Sequence, residues 1–376
     1  MFAKRMESIE GSGVRKMFNL IATMKDPINL SIGQAHYDAP EEIKEAAIEA
    51  IREGRNKYTV TEGIPELREG VLHSLDQSYG YLPESILMTV GVSGGLLLAF
   101  LALVDIGDEV LLPDPFFVMY KNVAAIAGAE IKWYDLYPKE PGGPWRPDLA
   151  AIEASITDKT KVILINSPGN PTGSMWSKED LDALVTLCKS RGIWIISDEI
   201  YSYFSYDKDF ASVIPGMREY DRILVMGGFS KTYGVPGWRL GWTVGPQECL
   251  AAMEIMQQYT YVCCPAPLQY AAVQALETDM SARLIEYKAK RDLVYDRLHK
   301  HFDLCPSEGS FYAFPAYPKG WEEADFIQAC IQDRLLIVPG SAFSRQGTHF
   351  RLSFAADEDT LEAGLSVLVD IAERKS

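Results

Sequence analysis

The sequence predicts an α/β fold, with a large domain built on a mostly parallel sheet flanked by helices and a smaller α+β domain attached. Three observations predict it. Short apolar runs alternate with longer amphipathic segments through the middle of the chain, the rhythm of strand–helix–strand units. Turns rich in Gly, Ser, Pro and Asn follow the apolar runs, where an open α/β sheet places its ligands. The chain has 376 residues, too many for one simple core.

The predicted strands are 86–90, 109–112, 161–166, 193–197, 223–226 and 240–244. Helical patterns over 95–104 and 177–191 lie between them; Ser177 is a natural N-cap for the second and Gly192 its stop. Residues 42–53 form an amphipathic helix with Ile43, Ala47, Ala50 and Ile51 on one face and Gly54 at its end. Towards the C-terminus the pattern gives strands near 309–314, 336–338 and 350–354, with helices near 323–334 and 358–373. The expected division is a large domain over 46–285 and a small one built from 1–45 and 286–376, although no Gly/Pro linker marks the boundary.

Composition excludes several function classes. With 36 basic and 52 acidic residues the net charge is −16, which argues against nucleic acid and anionic membranes as partners. The N-terminus lacks the apolar core of a signal peptide, and the longest apolar run, 96–104, is far short of a membrane span. The six cysteines show no CxxC spacing, the five histidines do not cluster and there is no HExxH. Reduced thiols, a cytoplasmic location and no catalytic metal are therefore expected.

The chemistry follows the strands. After 161–165 comes N-S-P-G-N-P-T-G, ending at Gly173; after 193–197 come Asp198, Glu199 and Tyr201. After 223–226 come Ser230, Lys231 and Thr232, then Gly237-Trp238-Arg239; after 86–90, Gly91-Val92-Ser93-Gly94-Gly95 opens a helix. A lysine desolvated beside apolar strands becomes a nucleophile toward carbonyls. An aspartate in the same crevice suits a pyridinium nitrogen. A Gly/Ser turn at a helix N-terminus suits a phosphate, because free N–H groups point at it.

These residues belong to a wider pattern. The matching segments are L-S-I-G-Q (30–34), Y-T-V-T-E-G-I-P-E-L-R (58–68), P-G-N-P-T-G (168–173), S-D-E-I-Y (197–201), S-K-T-Y-G-V-P-G-W-R-L-G-W (230–242) and F-R-L-S-F-A (350–355). In that order they resemble the class I/II aminotransferases of the fold-type I pyridoxal phosphate family. The resemblance implies pyridoxal 5′-phosphate held by Lys231 as a Schiff base, with the same lysine later shuttling a proton. It implies that Asp198 partners the pyridine nitrogen and that Asn170 and Tyr201 face the phenolic oxygen. Ser230, Arg239, Val92, Ser93 and Gly94 match phosphate contacts, and Phe117 an aromatic stacked on the ring. Arg351 matches the arginine that grips the substrate α-carboxylate, with Gly33 and Asn170 beside it. Tyr58 matches a tyrosine that reaches the neighbouring active site, which implies a homodimer. The implied activity is ping-pong transfer of an amino group from an L-amino acid to a 2-oxo acid.

Some positions depart from the family pattern. Val92 stands where glycine is common, but only its backbone N–H is needed. His36 stands where many relatives carry an acidic residue, open to reading as a substrate contact or as plain variation. Serine at position 93, where some relatives specific for acidic substrates carry a lysine, and an apolar arm of Met17, Phe18 and Ile21 lean toward a neutral or aromatic substrate, with aspartate still possible. Rival readings are a lyase performing β-elimination or an amino-acid oxidase of the same fold. A more distant one takes Gly91–Gly95 as a GxSxG nucleophile elbow with His349 as base; it leaves 168–173, 197–201 and 230–242 without a role.

Overall fold

A computed structural model of the protein describes residues 24–375, together with residues 2, 4–7, 9, 11 and 13. The arm positions Met17, Phe18 and Ile21 lie outside the described residues. Along the chain the strands are β1 (Ile28–Asn29), β2 (Ser85–Thr89), β3 (Glu109–Asp114), β4 (Glu130–Asp135), β5 (Thr160–Asn166), β6 (Trp194–Asp198), β7 (Ile223–Gly228), β8 (Gly241–Gly245), β9 (Tyr312–Ala313), β10 (Leu335–Leu336), β11 (Val338–Pro339) and β12 (Phe350–Ser353). The helices are α1 (Glu41–Arg52), α2 (Pro65–Tyr79), α3 (Gly91–Leu103), α4 (Val118–Ala127), α5 (Leu149–Ser155), α6 (Lys178–Arg191), α7 (Gln247–Gln258), α8 (Ala266–Glu277), α9 (Ser281–Leu298), α10 (Glu323–Gln332) and α11 (Glu358–Glu373).

Strands β2 to β8 form one sheet in the order β2-β8-β7-β6-β5-β3-β4. Only β8 runs against its neighbours; every other pair is parallel. The fold class expected from the sequence is the one observed. Its continuous apolar strands follow from burial on both faces. Along β5, Val162 and Leu164 pack into one apolar cluster and Ile163 and Ile165 into another, because successive side chains point to opposite faces. The first cluster draws on α3, α4 and α7, the second on α2, α6 and α8. A third cluster joins α9, α10 and α11 to the antiparallel sheet β11-β12-β9. Strand β1 pairs in parallel with β10, Ile28 opposite Leu335, and so ties the N-terminal segment to the C-terminal one.

Local signals hold where the sequence placed them. The Ser177 hydroxyl accepts the Asp180 N–H at 3.1 Å, and Gly192 closes α6 with φ of 68°. Three expectations need correction. Ile51 is 52% exposed while Ile43, Ala47 and Ala50 are buried; one residue beyond Ala50 turns the side chain about 100° off the packed stripe. Strand β4, absent from the predicted set, is an edge strand with three of its six residues exposed, so its apolar signal is weak. The run 309–314 yields only two strand residues, since Ser310 takes φ of 56° and interrupts the extended backbone.

Candidate active site

The carboxyl ends of β2, β3, β5, β6 and β7 open on one edge of the sheet, and the reversed β8 enters from that same edge. Topology alone therefore gathers five loops there. A cavity of about 220 Å³ lies at this edge. Gly33, Val92, Ser93, Phe117, Asn170, Asp198, Tyr201, Ser230, Lys231, Arg239 and Arg351 all line it. Two candidate positions do not. Gly94 lies in the first turn of α3 against Tyr261, whose hydroxyl would be 2.8 Å from an added Cβ. Tyr58 is 85% exposed, away from the cavity of its own chain.

Asp198 is the last residue of β6 and stands in register with Asn166, the last of β5. It is buried, and its carboxylate accepts the Tyr120 hydroxyl at 2.8 Å and the Ile200 N–H at 3.2 Å. Burial raises its pKa to about 6, against the opposing pull of Tyr120, Ile200 and Lys231. Lys231 follows β7, and its Nζ donates to the Gly33 carbonyl at 2.8 Å. Desolvation, then the charges of Arg351 and Arg239, lower its pKa to about 8, while Asp198 opposes. At that value a substantial share of the amine is free near neutral pH.

Arg351 sits on β12, 1% exposed. Its guanidinium lies between the rings of Tyr312 and Phe343, at 4.4 and 4.5 Å. It donates to the Asn170 side-chain oxygen at 3.0 Å and the Ser31 carbonyl at 2.7 Å. Its Nε is buried without a partner, and no carboxylate pairs with it among the described residues. A buried cation held only by neutral groups is costly unless an anion completes it.

A helix N-terminus and a second arginine line the same cavity. Helix α3 starts at Gly91, so the N–H groups of Gly91, Val92 and Ser93 have no partner within the helix. Arg239 takes a left-handed φ of 55°, and a Cβ on Gly91 would meet its guanidinium at 2.9 Å. Glycine at 91, itself at φ of 67°, leaves the room that the arginine fills.

Sequence reasoning missed Tyr120, Asn166 and Tyr312, all of which line the cavity. Tyr120 was within reach, one helical turn after Phe117. Tyr312 gave no local signal, because its role depends on groups more than a hundred positions away. His36 does not line the cavity. Its Nε2 lies 2.8 Å from the Glu286 carboxylate and its Nδ1 3.1 Å from the Tyr287 hydroxyl, which docks its loop on α9. His349 stacks on Phe314 and lines a different cavity from Ser93, so the two residues of the hydrolase reading do not meet.

The family model for aminotransferase class I and II matches residues 25–368. The chain is 35% identical to a probable aspartate aminotransferase of Methanocaldococcus jannaschii, over 99% of this chain and all of that one. It is 32% identical to aromatic-amino-acid aminotransferase 2 of Thermococcus litoralis, over 99% and 98%. The crystal structure of aspartate aminotransferase from Thermotoga maritima superimposes with a TM-score of 0.93 at 33% identity, over 99% of this chain and all of that one. With the fold, and with Lys231, Asp198 and Arg351 lining one cavity, these likenesses identify the chain as a member of the class I and II aminotransferases, a transaminase.

Proposed function

We propose that the cavity holds pyridoxal 5′-phosphate on Lys231 and moves an amino group from an L-amino acid to a 2-oxo acid in ping-pong fashion. The observation that carries this is one cavity joining Lys231, with its lowered ammonium pKa, to a buried Asp198 and a buried Arg351 that has no carboxylate partner among the described residues. The cofactor, when bound, supplies an electron sink that weakens bonds at the amino acid Cα.

Each side chain then has a task. The helix α3 N–H groups, Ser230 and Arg239 hold the phosphate. Asp198, fixed by Tyr120 and Ile200, keeps the pyridine nitrogen protonated. Asn170 and Tyr201 face the phenolic oxygen, and Phe117 covers the ring. Arg351 clamps the α-carboxylate, with Gly33 beside it. Lys231, displaced by the incoming amine, takes the Cα proton and returns it one carbon away.

Among the lining residues, Arg351 is the cation not committed to the cofactor, and Phe117, Met119, Leu96 and Pro236 add apolar surface. This favours a neutral or aromatic amino acid, with aspartate the alternative that the relatives' names raise. The proposed division into domains, 46–285 and 1–45 with 286–376, is supported by the lining of the cavity, which draws Gly33, Tyr312 and Arg351 from the smaller unit and the other residues from the larger. A cytoplasmic homodimer completes the reading. The six free cysteines support the compartment. Exposed Tyr58, Val60, Tyr259 and Val262 support the dimer. Gln257 and Gln269 tie the loops that carry them, through Thr61, Thr59 and Cys264, so the four form one patch from which Tyr58 reaches the neighbouring site.

The test is direct. Purified protein is expected to be yellow, borohydride to fix the cofactor on Lys231, and Lys231→Ala to be colourless and inactive. A panel of amino acids should bleach the colour and release the matching 2-oxo acid. Ammonia release with no need for an acceptor, or equal activity in Lys231→Ala, would overturn the proposal.

A further inference from the structure

The geometry points to Tyr312 as a positioning residue that hydrogen-bonds Tyr201 and thereby strengthens it as a donor to the cofactor's phenolic oxygen. This rests on the proposed role of Tyr201. Tyr312 is 1% exposed and lines the active-site cavity. Its hydroxyl lies 2.8 Å from that of Tyr201, with the rings edge-on at 5.5 Å.

Besides Tyr201, two groups meet this side chain. Its ring covers Arg351 at 4.4 Å. Its hydroxyl occupies the space a Cβ on Gly33 would need. The Gly33 carbonyl in turn accepts Lys231 Nζ. Of the two hydroxyls alone, either can be the donor. With the Tyr201 O–H engaged as the hydrogen-bond donor to the cofactor's oxygen, only its lone pairs face Tyr312, so Tyr312 must donate. A hydroxyl that accepts one hydrogen bond donates a stronger one. Stronger donation stabilises the anionic, proton-free form of the oxygen.

The experiment is a pH titration of the visible absorbance of the loaded enzyme, on the native protein, Tyr201→Phe, Tyr312→Phe and the double variant. Phenylalanine keeps both rings in place and removes only the hydroxyls. Tyr201→Phe is expected to raise the midpoint by about one pH unit, and Tyr312→Phe by about half of that. The double variant should match Tyr201→Phe alone, because Tyr312 acts through the Tyr201 hydroxyl. Should Tyr312→Phe fold poorly, 3-fluorotyrosine at position 312 keeps the shape, donates more strongly and is expected to lower the midpoint. A midpoint moved by Tyr201→Phe but by neither change at 312 overturns the inference and leaves the role of Tyr201 standing. A midpoint indifferent to Tyr201→Phe overturns both. A Tyr312→Phe shift that persists without the Tyr201 hydroxyl means Tyr312 acts by another route, and also overturns the inference.

Discussion

Raising the pH should switch on the reactivity of Lys231 long before that of an ordinary lysine. Its pKa is lowered from 10.5 to about 8. At pH 7.5 that leaves roughly a quarter of the side chain as free amine, against roughly 0.1% for an unperturbed lysine, a gain of about two-hundredfold. The assay is reductive methylation of cofactor-free protein with formaldehyde and borohydride across pH 6 to 11, read by peptide mass spectrometry. The exposed Lys57 provides the internal reference. Labelling of Lys231 should rise through a midpoint near 8. The charges around it supply a check on sign. Arg351 lowers the lysine and Asp198 raises it, so Arg351→Gln should move the midpoint up and Asp198→Asn should move it down. A midpoint at or above 10, or two variants moving it in the same direction, would refute the claim that desolvation and these two charges set the lysine.

Three further outcomes are expected. Arg351→Gln should raise KM for the amino acid by at least about thirtyfold, since losing one partner of a buried charge pair costs about 2 kcal/mol or more, with a smaller change in kcat in steady-state assays. Asp198→Asn should lower kcat at least about a hundredfold while leaving Tm nearly unchanged, because the amide oxygen can still accept from Tyr120 or Ile200. Ser177→Ala should remove the cap on α6 and lower stability by about 1 kcal/mol in denaturant unfolding, with activity untouched because the cap is remote from the cavity.

How much was legible in the sequence depended on the range of the interaction. Ser177 and Gly192 read correctly because a cap is a contact over three or four residues. Strands β2, β3, β5, β6, β7 and β8 read correctly because burial leaves a nearly unbroken apolar run, whereas the half-exposed edge strand β4 did not. Strand direction did not: the run at 240–244 looks the same whichever way it points, and only pairing with β2 and β7 shows β8 reversed. Ile51 carried the right residue type for the packed face of α1 but the wrong angle. His36 stood beside a site motif in sequence, yet its partners are on α9, some 250 positions on.

The sequence by itself determined which residues could carry the chemistry and that they would follow strand ends, because a parallel sheet sends those ends to one edge. It also determined, through the resemblance, which family the chain would join. Only the tertiary structure decided the state of those residues. Lys231 is depressed because the fold takes water away from it and sets Arg351 and Arg239 nearby. Asp198 is held by Tyr120 across 78 positions, and Arg351 by Asn170 across 181. Electrostatics and desolvation depend on distance and burial in space, and no spacing along the chain encodes them.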